Sequence, residues 1–151
     1  MEPSPELLKR KQDLTNGLDV AIRRSGAHAR LNHRFSIAFM VAALGCSVAA
    51  GVGGVFFEMS GKKAGGLAVL PPLIAFVAVN LKFESKSSWH YRKKDGLTTL
   101  RSRLLYQQPE SPSADSIASV AREWDELNAT AQKEWDRDLS LNWSGLLRGN
   151  H

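Results

Sequence analysis

Hydrophobic positions are gathered into two long runs in this chain. From Phe35 to Phe57 the sequence FSIAFMVAALGCSVAAGVGGVFF continues for 23 positions without a charged side chain. A helix rising roughly 1.5 Å per residue can cross a hydrocarbon core about 30 Å thick over that length. A second apolar run, Ala64 to Leu81, begins after the six residues Glu58 to Lys63. Two spans (35–57 and 64–81) joined by so short a loop predict a transmembrane hairpin over 35–81.

On either side the pattern turns helical and mixed. Residues 1–34 read as an N-terminal arm, helical from about Pro5, with Leu7, Leu14, Leu18, Ala21, Ile22 and Leu31 at near-helical spacing. Gly17 and Gly26 weaken that helix. Beyond the second span, Phe83, Trp89, Tyr91, Leu97, Leu100, Leu104 and Leu105 mark a helical extension over 82–108. It is expected to continue the second span and to soften at Gly96. Pro109 and Pro112 break it, so Gln107 to Ala114 reads as a turn or linker. A last amphipathic helix is expected over 113–140, with Ile117, Val120, Trp124, Leu127, Ala131 and Trp135 on one face. That stripe suits docking, either onto the basic helices of the same chain or onto a recruited partner. Residues 141–151 read as a flexible tail.

Within the first span, Gly45, Ala49 and Gly53 follow at successive i+4 positions, with Ala50 and Gly54 on a neighbouring row. Rows of small residues let helix backbones approach closely in a membrane. Packing within one hairpin and packing between subunits of an oligomer both use such a row. In the second span, Pro71 and Pro72 remove the backbone donors that would reach the carbonyls of Leu67 and Ala68, which predicts a kink.

Charge supplies the topology. The net charge of +5 is uneven: Met1–Arg34 carries +3, Lys82–Glu110 carries +4 and Ser111–His151 carries −3. Arg34 precedes the first span, while Lys82 and Lys86 follow the second, with Trp89 and Tyr91 where an interfacial aromatic belt would lie. The positive-inside rule therefore places both termini in the cytoplasm. The expected fold is an all-α membrane protein, a two-helix transmembrane hairpin with cytoplasmic helical extensions at both ends. Anionic headgroups of the lipid bilayer account for the basic residues more simply than nucleic acid does.

Candidate chemistry is sparse. His28 and His33 are five apart and miss the i, i+4 spacing of paired metal ligands on a helix. Ser60 to Lys63, SGKK, lacks the upstream glycine of a phosphate loop, and Gly51 to Gly54 follows no strand. The lone Cys46 builds no disulfide framework. No acidic pair lies in a span, as a proton-coupled carrier would need. Neither an enzymatic activity nor a cofactor or metal is expected.

The segment VNLKFESKSSWHYRKKDGLTTLRSRLLYQ, with His28-Ala29-Arg30-Leu31-Asn32-His33-Arg34 before the first span, resembles the SLATT family. These are bacterial two-transmembrane effector domains of nucleotide-dependent conflict systems. The resemblance covers roughly Arg24 to Gln108, and its motifs are diffuse. It implies a homo-oligomeric effector in the cell's inner membrane that forms pores or disrupts the bilayer in antiviral defence. A nucleotide-generating or nucleotide-sensing partner protein would trigger it. The alternative is a non-conducting anchor or scaffold that recruits a soluble partner through its cytoplasmic helices.

Overall fold

In the computed structural model, residues 4–56, 61–107 and 113–140 are described, and they are almost wholly helical, with no strand among them. Four α-helices follow in order: α1 (Pro5–Phe56), α2 (Gly61–Leu81), α3 (Phe83–Ser102) and α4 (Ala114–Glu134). Single π-helical turns extend α3 over Arg103–Gln107 and α4 over Trp135–Leu139. The described residues divide into two compact units, one within 4–30 and 87–140, the other within 31–86.

The first unit is built from the start of α1, most of α3, and α4. Leu18, Leu97, Leu100, Leu104 and Val120 form its core, and Leu14, Ala21, Ile22, Trp124 and Leu127 pack against it. Fully burying such a side chain contributes about 1.5–3 kcal/mol. Buried Ser87 donates from Oγ to the Ala29 carbonyl at 3.0 Å, tying α3 to α1. Helix α4 starts at Ser113, whose Oγ accepts from the Ser116 backbone N–H at 3.1 Å, an N-cap that satisfies one otherwise orphaned donor. Ion pairs Arg101–Asp19 and Arg103–Glu123 link the helices from the half-exposed rim, where each adds at most about 1 kcal/mol.

Two glycines that weaken helices in the sequence are the points of closest packing here. A Cβ on Gly17 would stand 2.9 Å from Cη2 of Trp124, and one on Gly96 would stand 3.1 Å from Cδ1 of Leu127. Trp124 and Leu127, one turn apart on α4, thus lie over hydrogen-only positions on α1 and α3. Gly96 does not interrupt α3.

The second unit contains the apolar helices. The first expected span continues the N-terminal arm without a break at Arg34, and α1 runs 52 residues. Helix α2 begins at Gly61, three residues before the expected edge, and passes through Pro71 and Pro72 as one helix. Phe57 and the first three residues of the expected loop, 58–60, lie outside the described residues, as do the linker positions 108–112 and the tail 141–151. Among the described residues, two helices are long and apolar enough to cross a membrane, and the apolar windows that qualify them contain no buried residue.

The expected continuous helix out of the second span is interrupted, and the interruption is at Lys82. This residue has φ 52°, a left-handed backbone that costs a residue with a Cβ roughly 1–2 kcal/mol. Its N–H reaches back to the Val79 carbonyl at 3.2 Å, while its own carbonyl accepts from Lys86 N–H at 2.9 Å and so opens α3. Phe83, just after the break, has Phe35 and Phe39 at centroid distances of 5.6 and 5.4 Å.

The glycine contacts give a direct test. Gly17→Ala forces a methyl into the Trp124 ring, an overpacking cost of about 1–3 kcal/mol that exceeds the up to ~1 kcal/mol gained in helix propensity. Thermal unfolding should therefore occur at lower temperature for Gly17→Ala. Gly45→Ala, with nothing within 4 Å of the added atom, keeps the propensity gain unopposed and should unfold no lower than the parent.

Candidate functional site

The span surface is the first candidate. Gly45 and Ala49 are exposed and Ala50 is half-buried, while Gly53 and Gly54 continue the same helix. No atom lies within 4 Å of a Cβ built on Gly45, so the small-residue row is not covered at that position by the rest of the unit, and neighbouring Gly51 is equally open. Around it, large side chains stand open, among them Met40 at 68% exposure and Val79 at 74%. Two polar groups on the spans are engaged locally. Ser47 donates to the Ala43 carbonyl at 2.9 Å, and Asn80 donates from Nδ2 to the Phe76 carbonyl at 2.7 Å. Pro71 is half-buried and Pro72 exposed.

Among the expected interfacial anchors, Arg34, Lys82 and Tyr91 are exposed and Lys86 is half-buried. Trp89 departs from the expectation. It is 7% exposed, belongs to the folded interior, and packs edge-on against Trp135 at 5.0 Å between centroids. Its Nε1–H donates to the Ala131 carbonyl at 3.1 Å. The polar tip that would favour a headgroup region is already satisfied by α4, and the indole serves as core.

The α4 stripe is likewise turned inward. Ile117 and Val120 are buried, Trp124 and Leu127 pack against the main core, and Trp135 packs beside Trp89, Ala131 and Leu139. Its packing partners are the chain's own α1 and α3.

The second candidate is an open cavity of about 480 Å³ in the helical unit. Helix α1 lines it with Gly17, Val20, Ala21, Arg24, Ser25 and His28, α3 with Trp89, His90 and Lys93, and α4 with Trp124 and Asn128. None of the described lining residues is acidic. The cations are mutually close: the Arg24 guanidinium, added to burial as the larger cause, holds the Lys93 ammonium below its usual range. Lys93 Nζ also lies 5.3 Å from the Trp89 ring centroid, a cation–π placement. His28 and His90 stack at 5.2 Å. Burial first, then His28 and Lys93, lower His90 from 6.5 to about 4, so it is neutral at physiological pH. Among the described residues, His90 Nδ1 and Trp124 Nε1 are buried polar atoms without a hydrogen-bond partner.

This convergence was not singled out from the sequence. Its strongest linear signal is Trp89-His90-Tyr91-Arg92-Lys93-Lys94, basic residues interleaved with aromatic ones. Arg24 and Lys93 are 69 positions apart and meet only through the packing of α1 against α3.

Comparison with protein-family models, with curated proteins and with solved structures finds no match to this chain.

The depressed His90 value predicts a pH effect. An unfolded chain takes up a proton at His90 near pH 6.5, whereas the folded unit resists it down to about pH 4. Between those values the unfolded state binds more protons, so stability falls as pH falls through the window. Measured unfolding midpoints should drop from pH 7 to pH 4.5, and His90→Gln should reduce that drop. An unchanged slope would exclude His90 as its source.

Proposed function

We propose that the chain is an inner-membrane effector whose two apolar helices insert as a hairpin, with both termini in the cytoplasm. Copies assemble through the Gly45–Ala49 row and its continuation, Ala50, Gly53 and Gly54, and the assembly permeabilises the bilayer. The observation that carries this reading is the uncovered Gly45 and exposed Ala49 on an otherwise open apolar surface. In lipid no hydrophobic force draws helices together, and close backbone approach at small residues is a principal source of association. The SLATT resemblance supports a role in bacterial conflict, with a nucleotide-generating or nucleotide-sensing partner as the trigger. The role is mechanical rather than catalytic.

A second reading, a non-conducting anchor, is favoured by the local engagement of Ser47 and Asn80. A conducting path along these spans would have to use backbone, glycine surfaces or lipid. Such an anchor would recruit its partner through a surface other than the inward-facing α4 stripe.

Reconstitution at high density in anionic liposomes separates the two. The effector should release entrapped dye and yield crosslinked oligomers, and Gly45→Leu should suppress both by blocking close approach. Oligomers that hold dye throughout would refute permeabilisation and leave the anchor.

A further inference from the structure

The helical unit contains cations in two different settings. On its rim, Arg101 meets Asp19, Arg103 meets Glu123 and Arg92 meets Glu134. In the cavity, Arg24 and Lys93 converge from two helices, His28 stands beside them, and no described carboxylate lines the walls. Lys93 is half-buried, while Arg24 and His28 reach it from exposed positions on α1. Like charges held close together raise the energy of the folded chain, and an anion placed between them lowers it. The cation Lys93 has an aromatic face as its neighbour and no acid in the cavity lining.

We propose that this cavity is a binding site for a phosphate-bearing small molecule, held through its phosphate by Arg24 and Lys93. The remaining lining favours a ligand with a planar ring over a bare ion. Trp124 offers an indole wall, Asn128 offers both a donor and an acceptor, and the volume of about 480 Å³ exceeds what inorganic phosphate fills. Nucleoside phosphates combine these features. Neutral His90 adds no further charge at physiological pH and can hydrogen-bond as donor or acceptor once its ring turns toward a ligand. The buried Trp124 Nε1–H is a donor that a small shift of the indole would offer to a ligand oxygen. Phosphate also occurs on lipid headgroups, so the source is settled by experiment. The proposal concerns the helical unit alone and stands whether or not the spans conduct.

The test uses the full chain in nanodiscs of phosphatidylcholine, titrated calorimetrically with AMP, ATP and inorganic phosphate. Saturable binding of AMP or ATP, one per chain and tighter than inorganic phosphate, is the expected result. Arg24→Gln and Lys93→Gln should each weaken it roughly tenfold. Arg23→Gln, an exposed neighbour outside the lining, should leave it unchanged. A parallel arm replaces part of the lipid with phosphatidylglycerol. Suppression of nucleotide binding there that persists in salt and is overcome by excess AMP, as competition for one site requires, assigns the site to a lipid phosphate. Helicity by circular dichroism confirms that the variants fold. Absence of binding in both arms, or binding that survives both substitutions unchanged, overturns the proposal.

Discussion

The approach of Trp124 to Gly17 is the contact on which most of the helical unit depends. An indole can lie against a helix backbone at that distance only where the facing residue has no side chain. The contact brings α4 close enough for Val120 to join Leu18, Leu97, Leu100 and Leu104 in one core. One turn further along, Leu127 over Gly96 repeats the device against α3. The same indole forms a wall of the cavity, so the depth of that cavity and the closure of the core have a single determinant. Packing here also fixes chemistry. With α1 and α3 held together, Arg24 and Lys93 share a neighbourhood that neither would choose in water.

The two units dispose of apolar surface in opposite ways. In the helical unit, Leu18, Leu97, Leu104 and Val120 are withdrawn from solvent altogether by neighbours of the same chain. In the other, Met40, Leu44, Val69, Phe76 and Val79 remain open, with no burial anywhere in the apolar windows. Open side chains of this size in contiguous array mark a surface suited to a covering, and helices of this length are compatible with a hydrocarbon interior. Two polar groups within that stretch, Ser47 and Asn80, return a donor to the carbonyl four residues back, an arrangement compatible with a low-dielectric surrounding.

Features carried by local pattern were legible in the sequence, and features carried by distant partners were not. The apolar runs announce themselves by length and the absence of charge. The α4 stripe and its Ser113 start follow from helical periodicity and capping chemistry. Trp89 could not be placed that way, because its burial depends on the Ala131 carbonyl, 42 residues on. Gly17 and Gly96 read as weak points of their helices until the residues opposite them are known. The basic cavity is assembled from three helices, and in the sequence its cations are indistinguishable from interfacial ones. Nothing local at Lys82 signals a left-handed residue either, since lysine has no preference for that conformation.

The interruption at Lys82 has an electrical side. Aligned peptide dipoles leave the carboxyl end of a helix with about half a negative charge and the amino end with about half a positive one. Had α2 and α3 been a single rod, their poles would lie some 60 Å apart on a rise of roughly 1.5 Å per residue. Broken at Lys82, the negative pole of α2 ends at an ammonium-bearing residue, and the positive pole of α3 begins one position later with Glu84 in its first turn. The two helix ends that meet at the break are thereby each faced by local charge of the opposite sign. The field that a long dipole would cast along an apolar span is divided at the point where the sequence turns from hydrophobic to charged.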